Sequence, residues 1–459
     1  MMKLSEDKKT DKRFNRMQWR MLFATMIGYT LFYFMRKNFS FAMPGLQQDC
    51  GISKSMLGNF LFWGGIVYGL SKFLNGIIGD KVNPRRMLCF GLLACTLVNV
   101  AFGFAPLVAT SPSSLAWTFG ILLVVNQFFQ GTGFPPCAKL IAFWIPPKEL
   151  ATKMSVWNTS HSIGGGLVAK ICGVIMGLGV IGAANQGVGM WRWCFWSMAA
   201  LGFLGLVLMI FWLPGTPKEE GLPDLTGTEV GEGRDEVHGE ETHNSQLSTH
   251  NSALHMVFLN PVIWMLGVAN FTINAVRALI ADWGPTMLQE AKGFDPGSTG
   301  TVIMLFEFAG IAGMLFAGWA TDRFFGGRAP RLCVFLMALT AALLAAFWFL
   351  PAGVAGAAAL CLGGFCLYGP QALTGVTATN ISTKHFAGTS IGFISLFSYV
   401  GASVAGKVCG NLAQSFGGWR LPLLVMVATA AVGAVVFLCL WCVRANAYAT
   451  SGTSPEKGA

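Results

Sequence analysis

The chain has 459 residues, 54% of them hydrophobic and only 11% charged. Soluble domains carry about 25% charged residues, so a soluble globular protein is excluded at the outset. The net charge of +10 does not indicate a nucleic-acid surface, because the basic residues gather at the N-terminus (Lys3, Lys8, Lys9, Lys12, Arg13, Arg16, Arg20) and in short loops between apolar runs, as the positive-inside rule describes for membrane proteins.

A membrane-spanning helix needs about 20 apolar residues. In chain order, the apolar runs predict spans over 18–46, 57–79, 87–108, 116–145, 150–182 and 191–213. The first run follows a basic N-terminus like a signal peptide, but it continues past Arg36 to Leu46 with no small-residue cleavage site, so it reads as a retained span. Residues 214–256 are polar and rich in Gly, Glu, Thr, His and Asn. Such a composition buries no core and predicts a flexible linker. Further spans are predicted over 257–288, 298–320, 332–350, 354–380, 386–410 and 418–443, before a disordered tail at 444–459.

The expected architecture is an all-α integral membrane protein with twelve transmembrane helices in two pseudo-symmetric six-helix halves, 1–213 and 257–443. An even span count puts both termini on one side. Lys81, Arg85, Arg86, Lys148, Lys153, Arg323, Arg328, Arg331 and Lys384 fall on that side, which makes it cytoplasmic.

The halves repeat. Gly76-Ile-Ile-Gly79-Asp80-Lys81 recurs as Gly318-Trp-Ala-Thr-Asp322-Arg323, and Lys170-Ile-Cys-Gly173 as Lys407-Val-Cys-Gly410. Tyr29, Tyr33 and Arg36 correspond to Asn270, Asn274 and Arg277. The offsets are nearly equal, as expected of parallel six-span repeats in a transporter.

Charges within spans need a reason, because a cation at the bilayer centre costs several kcal/mol unless it faces a cavity or a partner. Arg36 and Arg277 occupy equivalent places on the first helix of each half, where a pseudo-two-fold axis would turn them toward one cavity. Guanidinium forks match phosphate oxygens in a bidentate manner, so the pair predicts a phosphate site; snorkelling to an interface is the alternative. Tyr29 and Tyr33 share the helix face of Arg36 and either bond substrate hydroxyls or pack. Lys37 and Lys72 are further candidate cations. His161, with Asn158 one turn before it, is a candidate donor to phosphate, since a histidine can carry a proton near neutral pH. Gly164-Gly165-Gly166 follows and allows close helix approach. Lys170 and Lys407 are expected to snorkel, with a role in drawing anions in as the alternative. Glu307, the one acid in mid-span, is expected to pair with Lys37 or Arg36. Asp80, Lys81, Asp322 and Arg323 at helix ends read as gating groups that pair in one state and part in another.

The twelve cysteines lie mostly inside apolar runs (Cys89, Cys95, Cys172, Cys361, Cys366, Cys409, Cys439) and are expected to pack as free thiols. Neither a disulfide framework nor a metal site is expected. No paired carboxylates, nucleophile triad or phosphate-binding Gly-x-x-x-x-Gly-Lys-Ser/Thr string is present, so the reading is a transporter, not an enzyme, with no cofactor.

Several strings resemble the organophosphate:inorganic phosphate antiporters of the major facilitator superfamily over nearly the whole chain. They are Gly28-Tyr29, Tyr33-Phe-Met-Arg36-Lys37-Asn38-Phe39, Tyr68-Gly69-Leu-Ser71-Lys72-Phe73, Asn83-Pro84-Arg85, Phe129-Gln130-Gly131-Thr-Gly133-Phe-Pro135-Pro136-Cys137, Trp157-Asn158 with His161, Gly215-Thr216-Pro217, Asp282-Trp283 and Ala387-Gly388-Thr389. The resemblance implies exchange of a sugar phosphate or glycerol 3-phosphate for inorganic phosphate across a bacterial inner membrane. By matching position it implies Arg36 and Arg277 as the phosphate-binding pair, with Tyr29, Tyr33, Lys37, Lys72, Asn158, His161 and Tyr399 in the cavity. Asn274 stands where glycerol-phosphate members carry Tyr, so the look is nearer the hexose-phosphate transporter and its sensor-like relative, and glucose 6-phosphate is the favoured substrate. The alternative is a membrane sensor of the same ligand; an exporter of hydrophobic compounds is opposed by the matched arginines. A monomer surrounded by lipid, with no nucleic-acid partner, is expected.

Overall fold

The computed structural model describes residues 2–181, 189–223, 257–381 and 387–443, without the side chains of 2–11, 80, 147, 148, 150–152, 179–181, 387 and 388. The described residues form helices α1 (Met2–Cys50), α2 (Lys54–Lys81), α3 (Pro84–Val108), α4 (Pro112–Gln130), α5 (Phe134–Trp144), α6 (Pro147–Ile181) and α7 (Trp191–Trp212). They continue with α8 (Pro261–Lys292), α9 (Pro296–Phe324), α10 (Ala329–Phe349), α11 (Val354–Ile381), α12 (Ala387–Ser415) and α13 (Arg420–Cys439).

The helix starts are written in the sequence. Asn83, Ser111 and Asn260 each stand before a proline, and their side chains accept from Arg86 N, Ser114 N and Val262 N. Proline at the first helical position loses no hydrogen bond, and the capping side chain satisfies an amide that the helix leaves open. At the end of α8, Gly293 takes a left-handed φ of 65° and its N–H reaches back to Gln289 O, a conformation that a Cβ disfavours.

Eleven helical segments among the described residues are long and apolar enough to cross a membrane, with α4 and α5 counted as one segment, Pro112–Trp144. The remaining span lies in α1, whose apolar stretch is interrupted by Arg36 and Lys37. The span expected over 116–145 is thus broken in its interior by the turn Gly131-Thr132-Gly133. Gly131 lets α2 come close: a Cβ there would lie 2.8 Å from Lys72 N. Gln130 Nε2 donates to Phe32 O at 3.0 Å, and Ser71 Oγ donates to Phe128 O. The Phe-Gln-Gly-x-Gly-x-Pro-Pro-Cys string is therefore the joint that fastens α4 and α5 to α1 and α2.

The chain forms two compact units, Met1–Val237 with Asp295–Met304, and His238–Phe294 with Leu305–Ala459. Each has the same internal packing. In the first, α1 packs on α6 and α7, and α3 packs on α4 and α7. In the second, α8 packs on α12 and α13, and α10 packs on α11 and α13. That correspondence is the structural form of the sequence repeat.

Residues 214–223, assigned by composition to the flexible linker, are docked on the first unit. Trp144 Nε1 donates to Gly215 O at 2.8 Å, Asn83 Nδ2 to Glu219 Oε1 at 2.7 Å, and Arg13 Nη2 to Glu220 O at 3.1 Å. Composition missed this because the partners are backbone carbonyls and side chains remote in sequence. Residues 224–256 and 444–459 lie outside the described residues.

Candidate substrate site

The first unit gathers its candidate residues on α1, α2 and α6. Tyr29, Tyr33 and Arg36 follow at helical spacing on α1, so one face carries all three. The Arg36 guanidinium carbon stands 3.9 Å over the Tyr68 ring and 5.7 Å over the Tyr33 ring. Tyr29 packs 4.8 Å from the Trp157 ring and 5.5 Å from the Tyr33 ring, and His161 lies 5.9 Å from Tyr33. Lys72 Nζ sits 4.3 Å over Phe134. An aromatic floor thus supports two cations. A cation over a ring gains about 0.5–2 kcal/mol, and stacking engages the guanidinium's face rather than its hydrogen-bonding edge.

Glycine makes this floor possible. A Cβ on Gly164 would lie 2.7 Å from Tyr33 Cβ and 3.0 Å from Thr30 O, so α6 approaches α1 as closely as the Gly-Gly-Gly string predicts. Trp157 Nε1 donates to Thr25 Oγ1 at 3.2 Å, which fixes the indole beneath Tyr29. His161 Nδ1 is hydrogen-bonded to Asn158 O within its own helix turn, and the Asn158 side chain is exposed. Lys37 is half-buried on α1.

The second unit places Arg277 in a different setting. Its Nε donates to Tyr368 Oη at 2.8 Å, and its Nη2 lies 3.4 Å from Glu307 Oε1. Tyr368 Oη donates to Glu307 Oε2 at 2.5 Å. The three groups come from α8, α9 and α11, and Glu307 is only 3% exposed. A carboxylate at that depth requires a cation and full hydrogen bonding, and this trio supplies both. Gly310 admits the Tyr368 ring, since a Cβ there would lie 2.7 Å from Tyr368 Cγ. Asn274 Nδ2 donates to Asn270 O at 2.9 Å, and Asn270 Nδ2 donates to Ile394 O at 3.1 Å, tying α8 to α12. Tyr399 is half-buried on α12.

Several expectations change. For Glu307 the sequence suggested Arg36 or Lys37; the ion pair within the second unit is with Arg277. Lys170, expected to snorkel, donates to Thr301 Oγ1 at 2.8 Å. Cys439, grouped with the buried thiols, is exposed, as is Cys442. Tyr68 and Tyr368 were not singled out as site residues. A signal existed: the chain holds 37 Phe but only six Tyr, so a hydroxyl on a ring inside a span is a marked choice. Lys81, Asp322 and Arg323 are exposed at helix ends, and the side chain of Asp80 lies outside the described residues. No cluster of three or more His, Cys, Asp or Glu able to hold a metal exists among the described residues.

Comparison with known proteins shows the family. The profile of the Major Facilitator Superfamily matches residues 25–406. A glycerol-3-phosphate transporter of Bacillus subtilis is 34% identical, covering 95% of this chain and 94% of its own. A probable hexose phosphate transport protein of Chlamydia pneumoniae is 34% identical over 94% of this chain and 92% of its own. The membrane sensor protein UhpC of Escherichia coli is 34% identical over 94% and 93%. Among solved structures, a D-xylose–proton symporter superposes with a TM-score of 0.73 at 14% identity, covering 93% of this chain and 98% of that one, which is a likeness of fold. The chain is therefore a multi-pass membrane protein, a transporter homologue rather than an enzyme, and it belongs to the Major Facilitator Superfamily, within the organophosphate antiporter family that its sequence strings resemble.

Proposed function

We propose that this protein exchanges a phosphorylated small molecule for inorganic phosphate by alternating access, with Arg36 and Arg277 serving the phosphoryl group. The single observation that carries the reading is the matched arginine: one per repeat, at the same place on the first helix, each on a tyrosine ring, at 3.9 Å for Arg36 and 4.7 Å for Arg277. Two cations serve one site, and Glu307 offsets one of them when it is empty. A phosphate ester neutralises both, and its departure requires a second anion before the return step. That requirement makes exchange obligatory and calls for no ATP.

Glu307 fits this cycle as a resident counter-ion. It occupies Arg277 at 3.4 Å, and an incoming phosphate competes with it for the same guanidinium. Tyr29, Tyr33, Lys37, Lys72, Asn158, His161, Asn274 and Tyr399 would supply hydrogen bonds and charge to the ester's remaining oxygens and hydroxyls. Asp80, Lys81, Asp322 and Arg323 would gate the helix ends. Both termini would face the cytoplasm of a bacterial inner membrane, as the basic loops require, and the monomer would suffice.

The substrate within this class is a hexose phosphate, glucose 6-phosphate first, on the strength of Asn274. The glycerol-phosphate relative is equally similar at 34%, so the choice rests on that residue. A second reading, a sensor that binds the ester and signals, is favoured by the 34% identity to a membrane sensor.

Proteoliposomes loaded with phosphate test both. Labelled glucose 6-phosphate should enter only phosphate-loaded vesicles and be outcompeted weakly by glycerol 3-phosphate. Arg36→Lys and Arg277→Lys should each slow exchange by about 100-fold or more, since two charged hydrogen bonds contribute about 1.5–3 kcal/mol each. Equal uptake into phosphate-free vesicles would overturn the antiport; saturable binding without counterflow would establish the sensor.

A further inference from the structure

All twelve cysteines are free thiols, and ten of them are buried or half-buried. The two exposed ones, Cys439 and Cys442, stand three residues apart in Cys439-Leu440-Trp441-Cys442, where the last span ends. Nothing in the transport cycle uses them. Their coincidence of exposure and spacing is the feature to explain, because a free thiol ordinarily packs as a small hydrophobe.

The backbone sets the geometry. Leu440 N–H donates to Phe437 O at 3.0 Å, Trp441 N–H to Leu438 O at 3.1 Å, and Val443 N–H to Leu440 O at 2.9 Å. The helix thus tightens as it ends into i to i+3 turns that bracket Cys439 and Cys442. In such turns, side chains at i and i+3 lie one above the other with a rise of about 2 Å per residue. A separation of about 6 Å between the Cα atoms falls in the range a disulfide bridges. An ordinary α-helical end would place residues 439 and 442 some 60° apart around the axis.

A neighbouring helix holds the turn in place. Arg331, in the first turn of α10, donates from Nε to Trp441 O at 3.2 Å, and its guanidinium carbon lies 5.2 Å over the Trp441 ring. Phe335 adds a ring contact at 6.1 Å. Trp is enriched at the membrane–water boundary and Arg in the loops beside it, so the dithiol sits where water-borne reagents arrive.

We propose that Cys439 and Cys442 form a reactive dithiol that a peroxide oxidises reversibly to an intrahelical disulfide. The Cys442 thiolate attacks one oxygen of hydrogen peroxide, forming sulfenic acid and releasing hydroxide. The Cys439 thiolate then attacks that sulfur, forming the S–S bond and expelling the second hydroxide. The two thiol protons convert both hydroxides to water. Each sulfur gives up one electron, and the peroxide takes both. A small thiol reductant reverses the step by thiol–disulfide exchange. The oxidised turn holds Trp441, and with it the end of α13, against Arg331.

The test uses the full chain in liposomes, reduced and then exposed to hydrogen peroxide. Trypsin cleavage after Arg420 and Arg444 releases a peptide in which Cys439 and Cys442 are the only cysteines. The expected result is a loss of about 2 Da, the two thiol hydrogens, in that peptide, restored by dithiothreitol. Cys439→Ser and Cys442→Ser, both at exposed positions, should abolish the loss and instead leave oxygen additions on the remaining sulfur. Oxygen addition to either cysteine in the unsubstituted protein without the bridge would overturn the proposal. So would a disulfide joining two chains, or a peptide left unreacted by peroxide that oxidises a free Cys-Leu-Trp-Cys peptide.

Discussion

Arg36 and Arg277 occupy the same position in two repeats, yet the protein treats them differently. Arg36 rests on the faces of Tyr68 and Tyr33. Arg277 shares a tyrosine ring too, but its edge is committed to Tyr368 Oη and Glu307. An aromatic cushion screens a cation without neutralising it; a buried carboxylate neutralises it and must be displaced before an anion can bind. Both matched arginines thus stand over tyrosine rings, and Arg277 is countered by Glu307. A carboxylate placed at one arginine gives an exchanger a way to tune anion affinity without altering both arginines.

The largest effect that separates the two is on stability. Arg277→Ala strands Glu307 in a buried site, and breaking one side of such a pair costs about 3–5 kcal/mol. The ring contacts that Arg36→Ala removes contribute about 0.5–2 kcal/mol. Thermal unfolding in detergent should therefore fall far more for Arg277→Ala, and Arg277→Ala with Glu307→Gln should recover much of the loss. Equal destabilisation by the two single variants breaks the comparison.

The hydroxyl of Tyr368 comes next. Tyr368→Phe keeps the ring beneath Arg277 but deletes both hydrogen bonds, at 2.8 and 2.5 Å. Bonds to charged groups contribute about 1.5–3 kcal/mol, so the apparent affinity for the phosphate ester should change by about tenfold or more. Tyr68→Leu, which removes the ring under Arg36, should weaken binding by less, in proportion to a cation–π contact. Competition binding with labelled phosphate checks both.

Glu307→Gln sharpens the competition between carboxylate and substrate. The amide oxygen can accept from only one of Arg277 and Tyr368, with its NH2 turned to the other, and the side chain no longer opposes an anion. The apparent affinity for phosphate should rise by about tenfold, equivalent to about 1.4 kcal/mol, while exchange slows because bound anion leaves less readily. A fall in affinity would mean that Glu307 positions Arg277 for substrate instead of competing with it.

Much of this arrangement was legible in the sequence. Intramembrane cost singled out Arg36, Arg277 and Glu307, and the repeat offsets put the arginines on matched helices. The partner of Glu307 was not legible, because pairing depends on the rotation of α8, α9 and α11 about their axes, which apolar periodicity leaves undetermined in spans buried on most sides. The partner of Lys170 was not legible for the same reason: Thr301 lies 131 residues away and carries no charge. The Gly131–Gly133 break was visible as a string but not as a turn, since glycines inside an apolar run also serve close packing. Cys439 was misread because a span's last residue looks, by composition, like its interior.

The smallest expected effect concerns how the helices that follow the two arginine helices begin. The start of α2 is capped by Ser53, a neutral hydroxyl that accepts from Met56 N at 3.3 Å. The start of α9, the helix that carries Glu307, is capped by Asp295, whose Oδ2 accepts from Ser298 N at 2.9 Å. The Ser298 hydrogen bonds hold the Asp295 carboxyl below its ordinary value. A carboxyl lowered in the folded state contributes its stability fully above the unfolded pKa, about 3.9 for aspartate, and loses it as pH falls through the folded value. Acid should thus weaken the start of α9 and leave the start of α2 unaffected. Asp295→Asn should remove the acid dependence while keeping an acceptor, and Asp295→Ala should cost about 0.5–2 kcal/mol at neutral pH. Hydrogen exchange at the amides of residues 297–299, followed from pH 6 to pH 3 beside those of 55–57, measures the difference, and equal acid sensitivity at both helix starts would remove it.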